Sequence, residues 1–206
     1  MLHPIENRQT LLDNRLGTLL TLERDSLNIY IALEQASNTA QIKDLFNRQT
    51  DEAREHITAL ECIASTMKLE LADSATRAGA ALHDETNDLL DDSSEDMVDL
   101  VALAAALAAG RLAVDVYKTA IALSVSMGFH GIEKTLTQSL SEQEQMGSAL
   151  EDAFTDCLGK SRQREAEEFG VDDEWFDSVT SEWFETGASS NDGDVSDGGR
   201  PGSEAS

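Results

Sequence analysis

Apolar residues recur along this chain at alternating steps of three and four, the spacing that places side chains on one face of an α-helix. Leu12, Leu16, Leu19, Leu27 and Tyr30 form a first stripe, which predicts a helix from about Glu6 to Gln35. After a short break at Ser37-Asn38-Thr39 comes a second stripe: Ile42, Leu45, Gln49, Glu52, His56, Leu60, Ile63 and Met67. A third helix is predicted from about Glu95 to Met127, with Ser94 as its N-cap and Leu100, Leu103, Leu107, Gly110, Val114, Tyr117 and Ile121 facing inward. A fourth starts near Gly131 and ends at Gly159, a residue suited to the C′ position; Ile132, Leu136, Gln143, Leu150, Phe154 and Cys157 line its inner face.

The connections set the expected topology. The first and second helices are joined by a short link, as are the third and fourth, so each pair should form an antiparallel hairpin. The stretch between the hairpins, about 25 residues, is long for a loop. Its middle, Ala75 to Leu90, has helical character, with Leu82, Leu89 and Leu90 on one edge. Two hairpins joined by one long crossover is the ferritin-like connection. The expected fold class is therefore all-α: a ferritin-like antiparallel four-helix bundle over residues 1–160, with a partly helical crossover.

Composition agrees with helix packing. The chain has 206 residues, of which 40% are hydrophobic but only 5% aromatic, and its two prolines, Pro4 and Pro201, lie near its ends. The net charge of −25 repels nucleic acid and anionic lipid, so neither is an expected partner. Acid excess with five lysines is similar to the proteins of salt-accumulating halophiles, where salt screens self-repulsion; an ordinary acidic protein with an acidic tail is the alternative. Cys62 and Cys157 lie on helical stripes without CxxC spacing and read as core thiols in a reducing compartment. The charged N-terminal stretch lacks the apolar run of a signal peptide. The most apolar stretch, Val98 to Val125, is broken by Arg111, Asp115 and Lys118 and reads as a buried helix rather than a membrane span. A cytoplasmic protein is expected.

From Gly159 onward the composition changes. Residues 161–206 hold 13 acidic and 3 basic side chains and end in a low-complexity run, so a disordered tail is expected. Within it DEWFDS and SEWFET repeat, with Trp175, Phe176, Trp183 and Phe184 as aromatic pairs. These four residues could dock a partner protein on a flexible tether, or pack back on their own bundle.

The chemistry lies where charge interrupts the stripes. Glu23 falls where the first stripe wants an apolar residue, and Glu52 and His56 interrupt the second, each near the middle of its helix. Midpoints meet in an antiparallel hairpin, and an uncompensated buried carboxylate costs several kcal/mol. A metal ion, a basic partner or water should offset it. Carboxylate and imidazole ligands suit iron or manganese, so Glu23, Glu52 and His56 are candidate metal ligands, with Glu55 as a substitute at three-residue spacing. At the same level the second hairpin offers only Gly110, Ala113 and Val114 on one helix, and Gln143, Met146 and Gly147 on the other, with Glu142 turned partly aside. The metal-free alternative places Arg111 inside the bundle against Glu23 or Glu52; otherwise Arg111 pairs with Asp115 on the surface. No GxSxG, P-loop or Cys/His pairing points to a hydrolase or transferase.

Five segments, LLTLERDSLNIYIALEQ, DEAREHITALECI, ATRAGAALHDETNDLL, AVDVYKTAIA and LSEQEQMGSALEDAF, occur in an order and spacing that resemble the YciE/YciF ferritin-like family of stress-associated proteins. The resemblance runs from about Leu19 to Leu158. It implies that Glu23 and Glu52 match the family's carboxylates and that His56 matches a His or Gln four residues on. It also implies two acids where Gly110 and Ala113 stand, and an acid where Gln143 stands, while Glu142 keeps one. The expected function is a stress-associated ferritin-like protein with a metal or redox role, as a homodimer; the alternative is a helical scaffold that assembles with itself and recruits a partner through its tail.

Overall fold

The computed structural model describes residues 5–69 and 77–169. Among them are five helices and no strand: α1 (Arg8–Ala36), α2 (Ala40–Met67), α3 (Arg77–Asp91), α4 (Val98–Ser126) and α5 (His130–Phe169). Trp175, Phe176, Trp183 and Phe184 lie outside the described residues. The first four helices and most of α5 belong to a compact unit of residues 1–160, which the chain leaves at Ser161.

Local chemistry sets the helix ends. Asn7 caps α1: its side chain accepts from the Thr10 amide at 2.9 Å, while the Thr10 hydroxyl oxygen accepts from the Asn7 amide at 3.1 Å. Thr39 stands at the N-cap of α2 without a side-chain cap of its own. Asp99, in the first turn of α4, instead fixes the backbone just ahead of α2. Its carboxylate accepts from the Asn38 amide at 2.8 Å, the Thr39 amide at 3.2 Å and the Thr39 hydroxyl. The two hairpins are thus tied together at one end by a buried carboxylate. Lys68 ends α2 in the left-handed region at φ 55°, as a C-terminal turn demands.

Two expected boundaries are corrected. Ser94 does not cap the third long helix; its carbonyl accepts from the Met97 and Val98 amides in a tight turn, and α4 starts at Val98. Nor does Gly159 end the last helix, because α5 runs to Phe169. A helical glycine costs about 1 kcal/mol, and the helix-favouring run after it carries the helix on. Cys62 is also corrected: it is exposed rather than a core thiol, while Cys157 is half-buried.

Helix directions follow from which residues share a core. One core cluster joins Ile29 and Leu33 of α1 to Ile42, Leu45 and Phe46 of α2, Ala102 to Ala109 of α4 and Leu150 of α5. The other joins Leu12 to Leu22 of α1 to Leu60 and Ile63 of α2, Ala113 to Ala120 of α4 and Leu136 of α5. Hence α2 and α4 both run against α1, α5 runs with it, and α3 carries the chain back between the parallel α2 and α4. The alanines of α4 let it lie close to α1.

Among the described residues α4 alone is long and apolar enough to cross a membrane by length and composition, and half of that apolar window is buried in protein. Arg111, Asp115 and Lys118 at its middle would each cost about 2.5–3.5 kcal/mol in hydrocarbon, so it reads as a core helix.

Candidate functional site

Between the two apolar clusters lies a polar layer. Glu23 and His56 are each 2% exposed, so burial brings them into a place where neither tolerates isolation. The Nδ1 of His56 stands 3.3 Å from Glu23 Oε1, an ion pair without good hydrogen-bond alignment. Its Nε2 stands 3.1 Å from Glu142 Oε2. Tyr117, fully buried on α4, donates its hydroxyl proton to Glu23 Oε1 at 2.7 Å. Gln138 holds the other oxygen of Glu142 by donating at 3.0 Å. The ring of His56 meets that of Tyr117 edge-on, with centroids 6.1 Å apart. Four helices therefore converge on one imidazole and its two carboxylates.

The electrostatics favour a charged ring. Burial pulls the His56 pKa down, but the close approach of the Glu23 carboxylate and then of Glu142 outweighs it, and the value ends above the ordinary 6.5. Each ring nitrogen of His56 faces a carboxylate, an arrangement that favours the protonated ring. Burial, with Glu23 nearby, pushes the Tyr117 hydroxyl far up, so it stays a donor. Tyr30, next to Gln143 and Ser26, is raised for the same two reasons.

Glu52 stands at the margin. It is half-buried, its Oε2 is shielded from solvent without a hydrogen-bond partner, and burial raises its pKa against the lowering effect of His56. Of the three sequence-predicted ligands, Glu23 and His56 come into direct contact, whereas Glu52 contributes through the field it shares with His56. Among the described residues no group of three or more His, Cys, Asp or Glu side chains is arranged to hold a metal ion.

Arg111 is corrected. It does not enter the core: its side chain is 75% exposed and pairs with Glu151 at 2.7 Å rather than with Glu23, Glu52 or Asp115. One step round the helix from the inward Gly110 turns it by about 100°. The group between the carboxylates is the His56 ring. Sequence reasoning also missed Tyr117, Tyr30 and the inward reach of Glu142. The available signal was that the chain has two tyrosines, both on inner stripes near the level of the charged interruptions.

Gly110 belongs to the same layer. A Cβ there would lie 2.9 Å from Gln143 Nε2 and 4.0 Å from the Tyr30 hydroxyl. The absent side chain makes room for the Gln143 amide between α4 and α5. Above it opens a groove of about 500 Å3 between these helices, lined by Ala106, Leu107, Val114 and Gly147 among others.

A family model described as "Domain of unknown function (DUF892)" matches residues 7–162. None of the curated proteins matches the chain. Among solved structures, the chain is similar to the E. coli stress protein YciF, with TM-score 0.72 and 17% identity, over 76% of this chain and 99% of that one. It is also similar to YcfI from Rhodopseudomonas palustris, with TM-score 0.69 and 17% identity, over 73% of this chain and 97% of that one. At such identity these likenesses concern the fold.

Proposed function

The chain belongs to the family described as domain of unknown function DUF892, and from that membership we propose that it is a stress-associated ferritin-like four-helix-bundle protein whose centre is held by an imidazolium in place of a metal. The stress association follows its similarity to YciF. The observation that carries the metal-free reading is the double engagement of His56, with a carboxylate 3.3 Å from one ring nitrogen and another 3.1 Å from the other. A protonated ring has no lone pair for a metal. A two-metal centre does not fit this donor set: Gly110 and Ala113 of α4 carry no ligating atom, and Gln143 stands where the family resemblance implies an acid. The bundle is then a scaffold whose polar centre fixes the register of its helices, and it needs no reaction at that centre.

A second reading keeps Glu23, Glu52 and His56 as ligands of a single iron or manganese ion. The shielded, unpartnered Glu52 Oε2 favours it. The two separate in one experiment. Purified full-length chain is titrated anaerobically with Fe(II) and with Mn(II), and bound metal is counted. At the same time the ring nitrogens of His56 are followed by 15N NMR at neutral pH. The metal-free reading expects well under one equivalent and an imidazolium signature. One full equivalent, lost in Glu52→Gln and accompanied by a neutral His56 ring, would establish the second reading instead.

A further inference from the structure

The groove between α4 and α5 is walled by few side chains. α4 lies close along α1, whereas α5 stands off from it. The space between α4 and α5, about 500 Å3, is within the size range of small-molecule sites. Ala106, Leu107, Val114 and Leu150 make its walls apolar, and Gly110 and Gly147 widen it from opposite helices. A Cβ on Gly147 would meet no neighbouring group within 4 Å among the described residues. Packing thus gives no reason for a residue that weakens its helix. Two ion pairs cross the rim from α4 to α5: Arg111 to Glu151 at 2.7 Å and Lys118 to Glu144 at 2.9 Å. They lie seven residues apart on each helix, about 10 Å along the axis. Val114 and Gly147 stand between them, at the mouth.

The floor of the groove is polar and uncharged. The Gln143 amide fills the notch that Gly110 leaves, and the Tyr30 hydroxyl stands behind it, 4.0 Å from where a Gly110 Cβ would be. Tyr30 is 3% exposed, and its hydroxyl has no hydrogen-bond partner among the described residues. Gln143 and Ser26 are beside it but out of alignment. A buried hydroxyl left in this way costs stability. Burial, and then the charge of Glu23, keep its proton in place. Gln143 is half-buried on a flexible stem, so its amide can turn aside and still donate. Two donors therefore meet at one notch under an apolar groove, and what they lack is an acceptor.

Charge narrows the class of acceptor. Asp115, Glu144 and Glu151 outnumber Arg111 around the groove, in a chain of net charge −25, so an anion is repelled. A cation would meet donors on the floor. An uncharged molecule with an apolar body and a carbonyl oxygen satisfies walls and floor together. We infer that the α4–α5 groove is a binding site for a small uncharged carbonyl compound, its oxygen accepting from the Gln143 amide and the Tyr30 hydroxyl. The site uses none of Glu23, Glu52 and His56, so it stands whether or not the centre holds a metal.

Full-length 15N-labelled chain titrated with acetophenone tests it by NMR. Saturable shifts are expected in the backbone amides of residues 106–114 and 143–150 and in the Gln143 side-chain amide. Ethylbenzene keeps the body and loses the oxygen, and should bind about fivefold more weakly or worse, the worth of one hydrogen bond. Benzoate and benzylamine, which add a charge, should also bind more weakly than acetophenone. Tyr30→Phe should weaken acetophenone about fivefold without lowering the melting temperature, because the hydroxyl it removes has no partner. Gly147→Leu, whose side chain grows into the groove, should abolish the shifts while the helical circular dichroism holds. Failure to saturate overturns the inference. So does equal affinity for ethylbenzene, benzoate or benzylamine, or an affinity for acetophenone unchanged by Tyr30→Phe or by Gly147→Leu.

Discussion

His56 is the side chain on which the polar layer depends, because its ring stands between two carboxylates and Glu23 is buried away from solvent. Replacing His56 with Leu leaves Glu23 buried and uncompensated, a change expected to cost about 3–5 kcal/mol in urea denaturation at neutral pH. Adding Glu23→Gln should recover part of that loss, since the two residues act as a unit. The pH dependence has a definite sign. His56 holds its proton more tightly when folded than when unfolded, so its contribution is full below the unfolded value of about 6.5 and is lost as pH rises through the folded value. The stability gap between the native chain and His56→Gln should therefore be widest below about pH 6.5 and narrow as pH rises above it. Tyr117→Phe removes the donor to Glu23 and should cost about 1.5–3 kcal/mol, the range for a hydrogen bond to a charged group. Glu23, Glu52 and His56 were legible in the sequence because charge is conspicuous on an apolar stripe. Tyr30 and Tyr117 were not, because a tyrosine satisfies a stripe with its ring and reveals its hydroxyl only when a partner is in place. Glu142 was legible as an acid of α5 but not as a partner, since its reach depends on the separation of α2 and α5.

The helices themselves were largely legible, and the ways in which they were not are instructive. Periodicity located four long helices and the crossover helix α3, because each buries a stripe over many turns. Ends were less legible, since they depend on bonds made across the fold. The bonds that fix the chain at the start of α2 come from Asp99, some 60 residues away, so no local pattern announces them. Asp99→Ala removes three accepted hydrogen bonds from a charged acceptor and should lower thermal stability by several degrees, on the order of 1.5–3 kcal/mol, with little change in helix content. The α4–α5 contact gives a second test at this scale. Gly110→Ala gains about 1 kcal/mol in helix propensity but drives its Cβ against the Gln143 amide. In a Gln143→Ala background that obstacle is gone, and Gly110→Ala should then stabilise. In the native background the gain should be smaller or reversed. A thermodynamic cycle over the two positions measures the difference, and additivity within about 0.3–0.5 kcal/mol would show that Gln143 does not fill the space.

At the scale of the whole molecule the dominant quantity is charge. Residues 161–206 carry 13 acidic against 3 basic side chains, yet most of the chain's 40 acidic residues precede them. Self-repulsion of that kind destabilises a folded chain in dilute buffer, because the unfolded chain spreads the same charges further apart. Salt weakens it over a known range: the screening length falls from about 10 Å at 0.1 M to about 3 Å at 1 M. The melting temperature should therefore rise with KCl, most steeply below about 1 M, where screening changes most. Hydrophobic burial also strengthens with some salts, but chloride salts are weak in that respect, and a salting-out effect would keep growing in proportion to concentration. The shape of the curve thus separates the two causes. A steep early rise with a plateau is the signature of relieved repulsion and of a surface suited to concentrated salt. A melting temperature flat from about 0.1 M to about 2 M KCl would mean that the helices already space their carboxylates widely enough, leaving an ordinary acidic protein with an acidic tail.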